Sequence, residues 1–105
     1  VNDTPTSVKD ELGEQQSLGK FELNQNYPNP FNPATTISFF LPSKSNIRLT
    51  LIDILGKVVR VIAEGNYNYG EHSIELNASD LAAGIYFYKL EAFEFVDVKK
   101  LVLLK

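Results

Sequence analysis

Hydrophobic and polar residues alternate in short runs along most of this chain, with the period of two that marks a half-buried strand. In the run 36–41, Ile37, Phe39 and Leu41 share one face and Thr36 and Ser38 the other, with Phe40 as an apolar member of the outer face. Pro42 and Ser43 stop it. Over 46–54, Ile47, Leu49 and Leu51 face inward against Arg48 and Thr50, and Asp53-Ile54-Leu55-Gly56 turns the chain, Gly56 supplying the positive φ of a tight hairpin. The returning run, 57–63, has Val59 and Val61 on one face and Val58, Arg60 and Ile62 on the other. Apolar residues on both faces predict a strand partly covered on each side, or a bulge that shifts its register.

A loop with Tyr67 and Tyr69 is expected at 65–70, then a strand at 71–76 in which His72, Ile74 and Leu76 share a face. Asn77 or Ser79 caps a turn, or one helical turn, over 77–81. The run 84–92 is the strongest strand, aromatic and β-branched through Ile85-Tyr86-Phe87-Tyr88. Lys89 shares a face with Ile85 and Phe87, so Tyr86, Tyr88 and Leu90 are the expected core residues. The run 95–104 closes the chain: Val96 and Val98 alternate with Asp97 and Lys99 before Lys100 breaks the pattern. With a brief strand at 21–23, turn residues every eight to twelve positions and no long helical pattern, the chain reads as all-β. The expected fold is an immunoglobulin-like antiparallel β-sandwich of about seven strands.

The stretch Gln25-Asn26-Tyr27-Pro28-Asn29-Pro30-Phe31-Asn32-Pro33 holds three of the chain's five prolines. Each proline lacks an N–H and restricts the residue before it, so the stretch can be neither helix nor central strand, and Asn29 and Asn32 are expected to be extended. It reads as a stiff connector whose Asn side chains bond their own backbone, leaving Tyr27 and Phe31 to plug the end of a core. Residues 1–20 read as a flexible linker from an upstream domain and 21–105 as the folded domain. Val8, Leu12 and Leu18 are too few apolar side chains to bury, although a short helix at 7–12 with Ser7 as its cap is an alternative. The chain starts at Val1 and shows no signal peptide there, and is read as a piece from the end of a longer protein.

A length of 105 residues suits one domain, and 44% hydrophobic against 22% charged residues is ordinary for a folded soluble one. The net charge of −3, with no basic stripe, argues against nucleic acid as a partner. The absence of cysteine excludes disulfides, thiolate metal sites and cysteine nucleophiles. No apolar run approaches the length of a transmembrane segment. The single histidine, His72, lies between Glu71 and Ser73, which alternation points away from it, so no catalytic residue is assigned and the chain is read as not an enzyme. Asn77, Ser79 and Asp80 lack the dense acidic spacing of a calcium loop, and no cofactor or metal is expected. Asn77-Ala78-Ser79 is also a glycosylation triplet of the kind that arises often by chance. Tyr67 and Tyr69 could stack on a sugar or protein, and this supports an alternative reading as an immunoglobulin-like binding or spacer module of a secreted or cell-surface enzyme.

Taken in order, Phe21-Glu22-Leu23, the Asn-Pro stretch, Thr36-Ile37-Ser38-Phe39, Leu41-Pro42, Asp53 with Gly56, Leu81-Ala82-Ala83-Gly84-Ile85-Tyr86-Phe87-Tyr88 and the ending Lys99-Lys100-Leu101-Val102-Leu103-Leu104-Lys105 resemble one known family. They resemble the type A C-terminal sorting domain of proteins exported by the type IX secretion system, over residues 21–105. Such domains are similar to the immunoglobulin-like part of the flagellar hook-capping protein. The resemblance implies an address label on a larger cargo, recognised by the outer-membrane export machinery, commonly removed by a processing peptidase, and taking the cargo through the periplasm to the surface or medium. Carried over by position, the recognition region is Lys99, Lys100, Leu101, Val102, Leu103, Leu104 and Lys105, framed by 84–88. Two departures stand out. Ile52 and Leu76 occupy positions where the family often has Tyr and Trp, and Ala92-Phe93-Glu94-Phe95 lacks the usual Gly or Asn of the last hairpin. From the residues themselves, an apolar last strand is expected at a sheet edge, offering unpaired backbone groups to a partner. The plainer alternative is that 101–104 only completes the sandwich.

Overall fold

Among the described residues, alternating β-branched and aromatic residues fold into seven strands: β1 (Glu22–Leu23), β2 (Ala34–Leu41), β3 (Ser45–Ile52), β4 (Val58–Tyr67), β5 (Gly70–Asn77), β6 (Gly84–Ala92) and β7 (Phe95–Leu103). The structure, a computed structural model, describes residues 19–105; most of the expected linker, and the alternative short helix at 7–12, fall outside the described residues. All strand pairs are antiparallel, in a three-stranded sheet ordered β1-β2-β5 and a four-stranded sheet ordered β4-β3-β6-β7. This is the expected sandwich of the immunoglobulin-like class.

The inward faces are those the alternation predicts. Ile37, Phe39 and Leu41 of β2 meet Ile47, Leu49 and Leu51 of β3, Tyr86, Tyr88 and Leu90 of β6, and Leu101 and Leu103 of β7 in one buried cluster. Each aliphatic or Phe side chain so buried contributes about 1.5–3 kcal/mol relative to exposure. Tyr88 has the polar tip that its burial demands a partner for. Its hydroxyl donates to Asn24 O at 2.6 Å and accepts from Asn26 N–H at 2.8 Å, so the centre of β6 holds the start of the Asn-Pro stretch. Burial pushes the phenol up to about 12, against the opposing Asn26 N–H bond and with the Asp97 carboxylate adding to the rise.

β4 is longer than expected. It runs to Tyr67, pairing Gly65 with Ile47, Asn66 with Asn46 and Tyr67 with Ser45, so only Asn68 and Tyr69 remain between β4 and β5. A polar, glycine-containing segment reads as loop by composition, but the ladder to β3 satisfies its backbone. The apolar residues on both faces of β4 go with two register shifts, opposite Leu49/Thr50 and Leu51/Ile52, as a bulged strand requires. In β7 it is Asp97 and Lys99 that lie in register with the inward Leu90 and Tyr88, whereas Val96 and Val98 are exposed. The position of this strand is set by its far end, where Leu101 and Leu103 are buried.

The β6–β7 hairpin closes with two residues. Phe93 takes φ 57°, the left-handed region that Gly or Asn normally occupies, and its ring is 89% exposed. Thr50 lies in register between Val61 and Lys89 on the outer face of the four-stranded sheet, yet is fully covered, and its hydroxyl has no hydrogen-bond partner among the described residues.

Candidate recognition site at the terminal strand

β7 is an edge strand: it pairs with β6 on one side, matching Lys99 to Tyr88, Lys100 to Phe87, Leu101 to Tyr86, Val102 to Ile85 and Leu103 to Gly84. Lys100, Leu104 and Lys105 are exposed, Lys99 and Val102 half-buried, and Leu101 and Leu103 are part of the core. The seven residues therefore do not form one free peptide. Lys105 Nζ reaches back to donate to Ser79 O at 2.9 Å, laying the end of the chain over the 77–80 turn.

The outer edge of β7 is occupied over 100–104, contrary to the expectation of unpaired backbone groups. Phe31 N–H donates to Val102 O at 3.0 Å, and Leu104 N–H donates to Phe31 O at 2.9 Å, a parallel bridge. Val102 N–H donates to Asn29 Oδ1 at 3.0 Å, and Gln25 Nε2 donates to Lys100 O at 2.7 Å. Further along, Val98 N–H turns to Asp97 Oδ1 at 2.9 Å. An open, apolar edge invites edge-to-edge pairing, and this one is covered by the Asn-Pro stretch. Phe31 is buried, as expected, but Tyr27 is 81% exposed and plugs nothing. Asn26 does bond locally, donating to Pro28 O and to Thr35 Oγ1, whereas Asn29 bonds a strand 73 residues away. Gln25, Asn29 and Phe31 thus belong to the terminal site. The sequence offers one hint of this, a lone large apolar residue between two Asn-Pro pairs.

Burial of Leu101 and Leu103 also alters what truncation would do. Removing 101–105 takes out two core side chains and the partner of Phe31, so that deletion removes part of the core along with the tail.

The other residues with candidate chemistry are engaged in packing. His72 Nε2 lies 2.8 Å from Asn68 O, and its ring packs on Phe39 and edge-on to Tyr67. Tyr67 is half-buried in β4 and also meets Phe39, so it does not form an exposed pair with Tyr69, whose ring sits edge-on against Phe40. In the 77–80 turn the Arg60 guanidinium donates to Asn77 O at 2.7 Å and to both Asp80 carboxylate oxygens at 2.6 and 2.8 Å, taking the oxygens a cation would need. That hydrogen bond holds the Asp80 carboxyl below its ordinary range. Among the described residues no three His, Cys, Asp or Glu converge on a metal-sized site, and no helix is long and apolar enough to cross a membrane.

Residues 25–104 match the family described as "Secretion system C-terminal sorting domain". The chain belongs to that family. It is therefore a C-terminal sorting-signal domain, of a family that is not enzymatic and that works with a secretion machinery to bring proteins to the cell surface or the medium. The matched region runs from Gln25 to Leu104, the first and last residues of the contact between the Asn-Pro stretch and β7. Among solved structures, the sorting domain is similar in fold to part of PorZ, an essential bacterial surface component of the type-IX secretion system of Porphyromonas gingivalis. The TM-score is 0.52 at 18% identity, over 89% of this chain and 12% of that one. No curated protein matches it in sequence.

Proposed function

We propose that this domain is the export label of a larger cargo, carried across the outer membrane by the type IX secretion system after reaching the periplasm. The cargo lies upstream in the same chain, residues 1–20 link it to the sandwich at 21–105, and the machinery reads Lys99, Lys100, Leu101, Val102, Leu103, Leu104 and Lys105. A processing peptidase removes the domain once the cargo is outside, and the domain itself catalyses nothing. The observation that carries this reading is the family match over 25–104, with both ends of the match meeting at the terminal strand. The two-sheet sandwich also supports a shared fold with the immunoglobulin-like part of the flagellar hook-capping protein.

The test is a fusion of all 105 residues to a periplasmic reporter, in a host with the type IX machinery. Reporter should appear outside the cell, free of the domain. Substituting Lys100, Leu104 and Lys105 together by Ala, all exposed, should reduce export while leaving the urea midpoint in place. Reporter that stays in the periplasm with the unmodified domain refutes the proposal.

A further inference from the structure

The terminal strand shows a partner little of itself while the Asn-Pro stretch is in place. Leu101 and Leu103 point into the core, and the outward groups Lys100 O, Val102 N–H, Val102 O and Leu104 N–H are all bonded by Gln25, Asn29 or Phe31. The covering segment is nevertheless a poor strand. Pro28, Pro30 and Pro33 have no N–H to give. Only Phe31 bonds β7 through its backbone; Gln25 and Asn29 substitute exposed side-chain amides for the missing ladder. The start of the segment is held through Asn26, Tyr27 and Pro28 to Tyr88, Thr35 and Thr36, and beyond it the buried Phe31 ring is the anchor. An extended peptide with all its N–H groups would make a regular ladder on the same edge, where this segment makes an interrupted one.

We propose that residues 25–31 are a displaceable latch on the outer edge of β7, and that the partner reading the tail does so by strand addition, taking over the bonds held by Gln25, Asn29 and Phe31. The proposal rests on the sorting reading and adds the mode of recognition and its control. The latch keeps the edge closed against indiscriminate pairing, and only a partner with a complementary strand exchanges for it. Apparent affinity for such a partner is lowered by the fraction of time the latch is closed, so weakening the latch raises it.

Two measurements on the 105-residue chain and its reporter fusion test this. Amide exchange by NMR should show Val102 N–H protected in the unmodified chain. In Asn29→Ala it should exchange about tenfold faster, the size expected for loss of one hydrogen bond of this kind, with Leu49 and Leu90 amides unchanged. The Gln25→Ala/Asn29→Ala variant should be exported about fivefold faster than a control of equal urea midpoint carrying a substitution in β5, such as Ile74→Val. Equal Val102 exchange with and without Asn29 overturns the latch. So does an exported unmodified fusion whose latch variant leaves no faster than the control. An unmodified fusion that never leaves the cell overturns the sorting reading itself, and with it the partner invoked here.

Discussion

Removing one oxygen atom, in Tyr88→Phe, should cost this domain a sizeable fraction of its stability. The ring stays and continues to fill the core between Leu51 and Lys99, its cross-strand neighbours, so no cavity opens. What is lost is the bridge to the Asn-Pro stretch: Asn24 O loses a donor at 2.6 Å and Asn26 N–H an acceptor at 2.8 Å. Asn26 is buried, and an orphaned buried backbone group costs about 1–3 kcal/mol; with Asn24 half-buried, the expected total is about 2–4 kcal/mol. Against a domain stability of about 5–15 kcal/mol, that is readily seen as a fall in urea midpoint at unchanged slope. The pH dependence gives a second, independent reading. The folded phenol titrates near 12 and an unfolded one near 10, so the folded state holds its proton more tightly; stability from this group is complete below pH 10 and falls as pH rises towards 12. The gap between unmodified and Tyr88→Phe proteins should therefore narrow by about 1.4 kcal/mol per pH unit across that window, the other tyrosines cancelling in the difference. A loss below about 0.5 kcal/mol at neutral pH, or a gap that stays constant to pH 12, would refute the reasoning.

Thr50→Val should stabilise the domain by about 1 kcal/mol in the same urea assay, because the hydroxyl it removes is buried and unpartnered among the described residues; destabilisation would mean that hydroxyl has a partner. Phe93→Gly should also stabilise, by about 1 kcal/mol, since φ 57° strains a side chain that is almost wholly exposed, and a lower midpoint would show the ring is packed. Leu101→Ala should cost about 2–5 kcal/mol while Leu104→Ala stays within about 0.5 kcal/mol, the reverse order being incompatible with the burial of β7. Tyr88→Ala should exceed Phe87→Ala in thermal and urea unfolding alike, and the opposite ranking would reverse the faces of β6.

The period-two pattern and the turn residues by themselves determined the class of fold, the core faces of β2, β3 and β6 and the turn at Gly56, and narrowed β4 to a covered or a bulged strand, because each follows from local alternation and turn chemistry. Gly56 does take φ 87°. The sequence also carried the family, in the Asn-Pro stretch and the terminal run together. What it could not contain was the relation between those two segments. Asn29 and Val102 lie 73 positions apart, and an amide side chain that caps a distant strand leaves the same letters as one that caps its own turn. The length of β4 was hidden for a related reason: Gly65 and Asn66 read as loop until β3 supplies the partners for their backbone groups. β7 shows the limit most directly. Its alternation suggested two valines in one layer, but the burial of Leu101 and Leu103 against β6 sets the register, and a strand has only two faces, so Val96 and Val98 go outward. Local pattern decides what a segment can be; which of its faces and edges are covered depends on neighbours that only the assembled sheets provide.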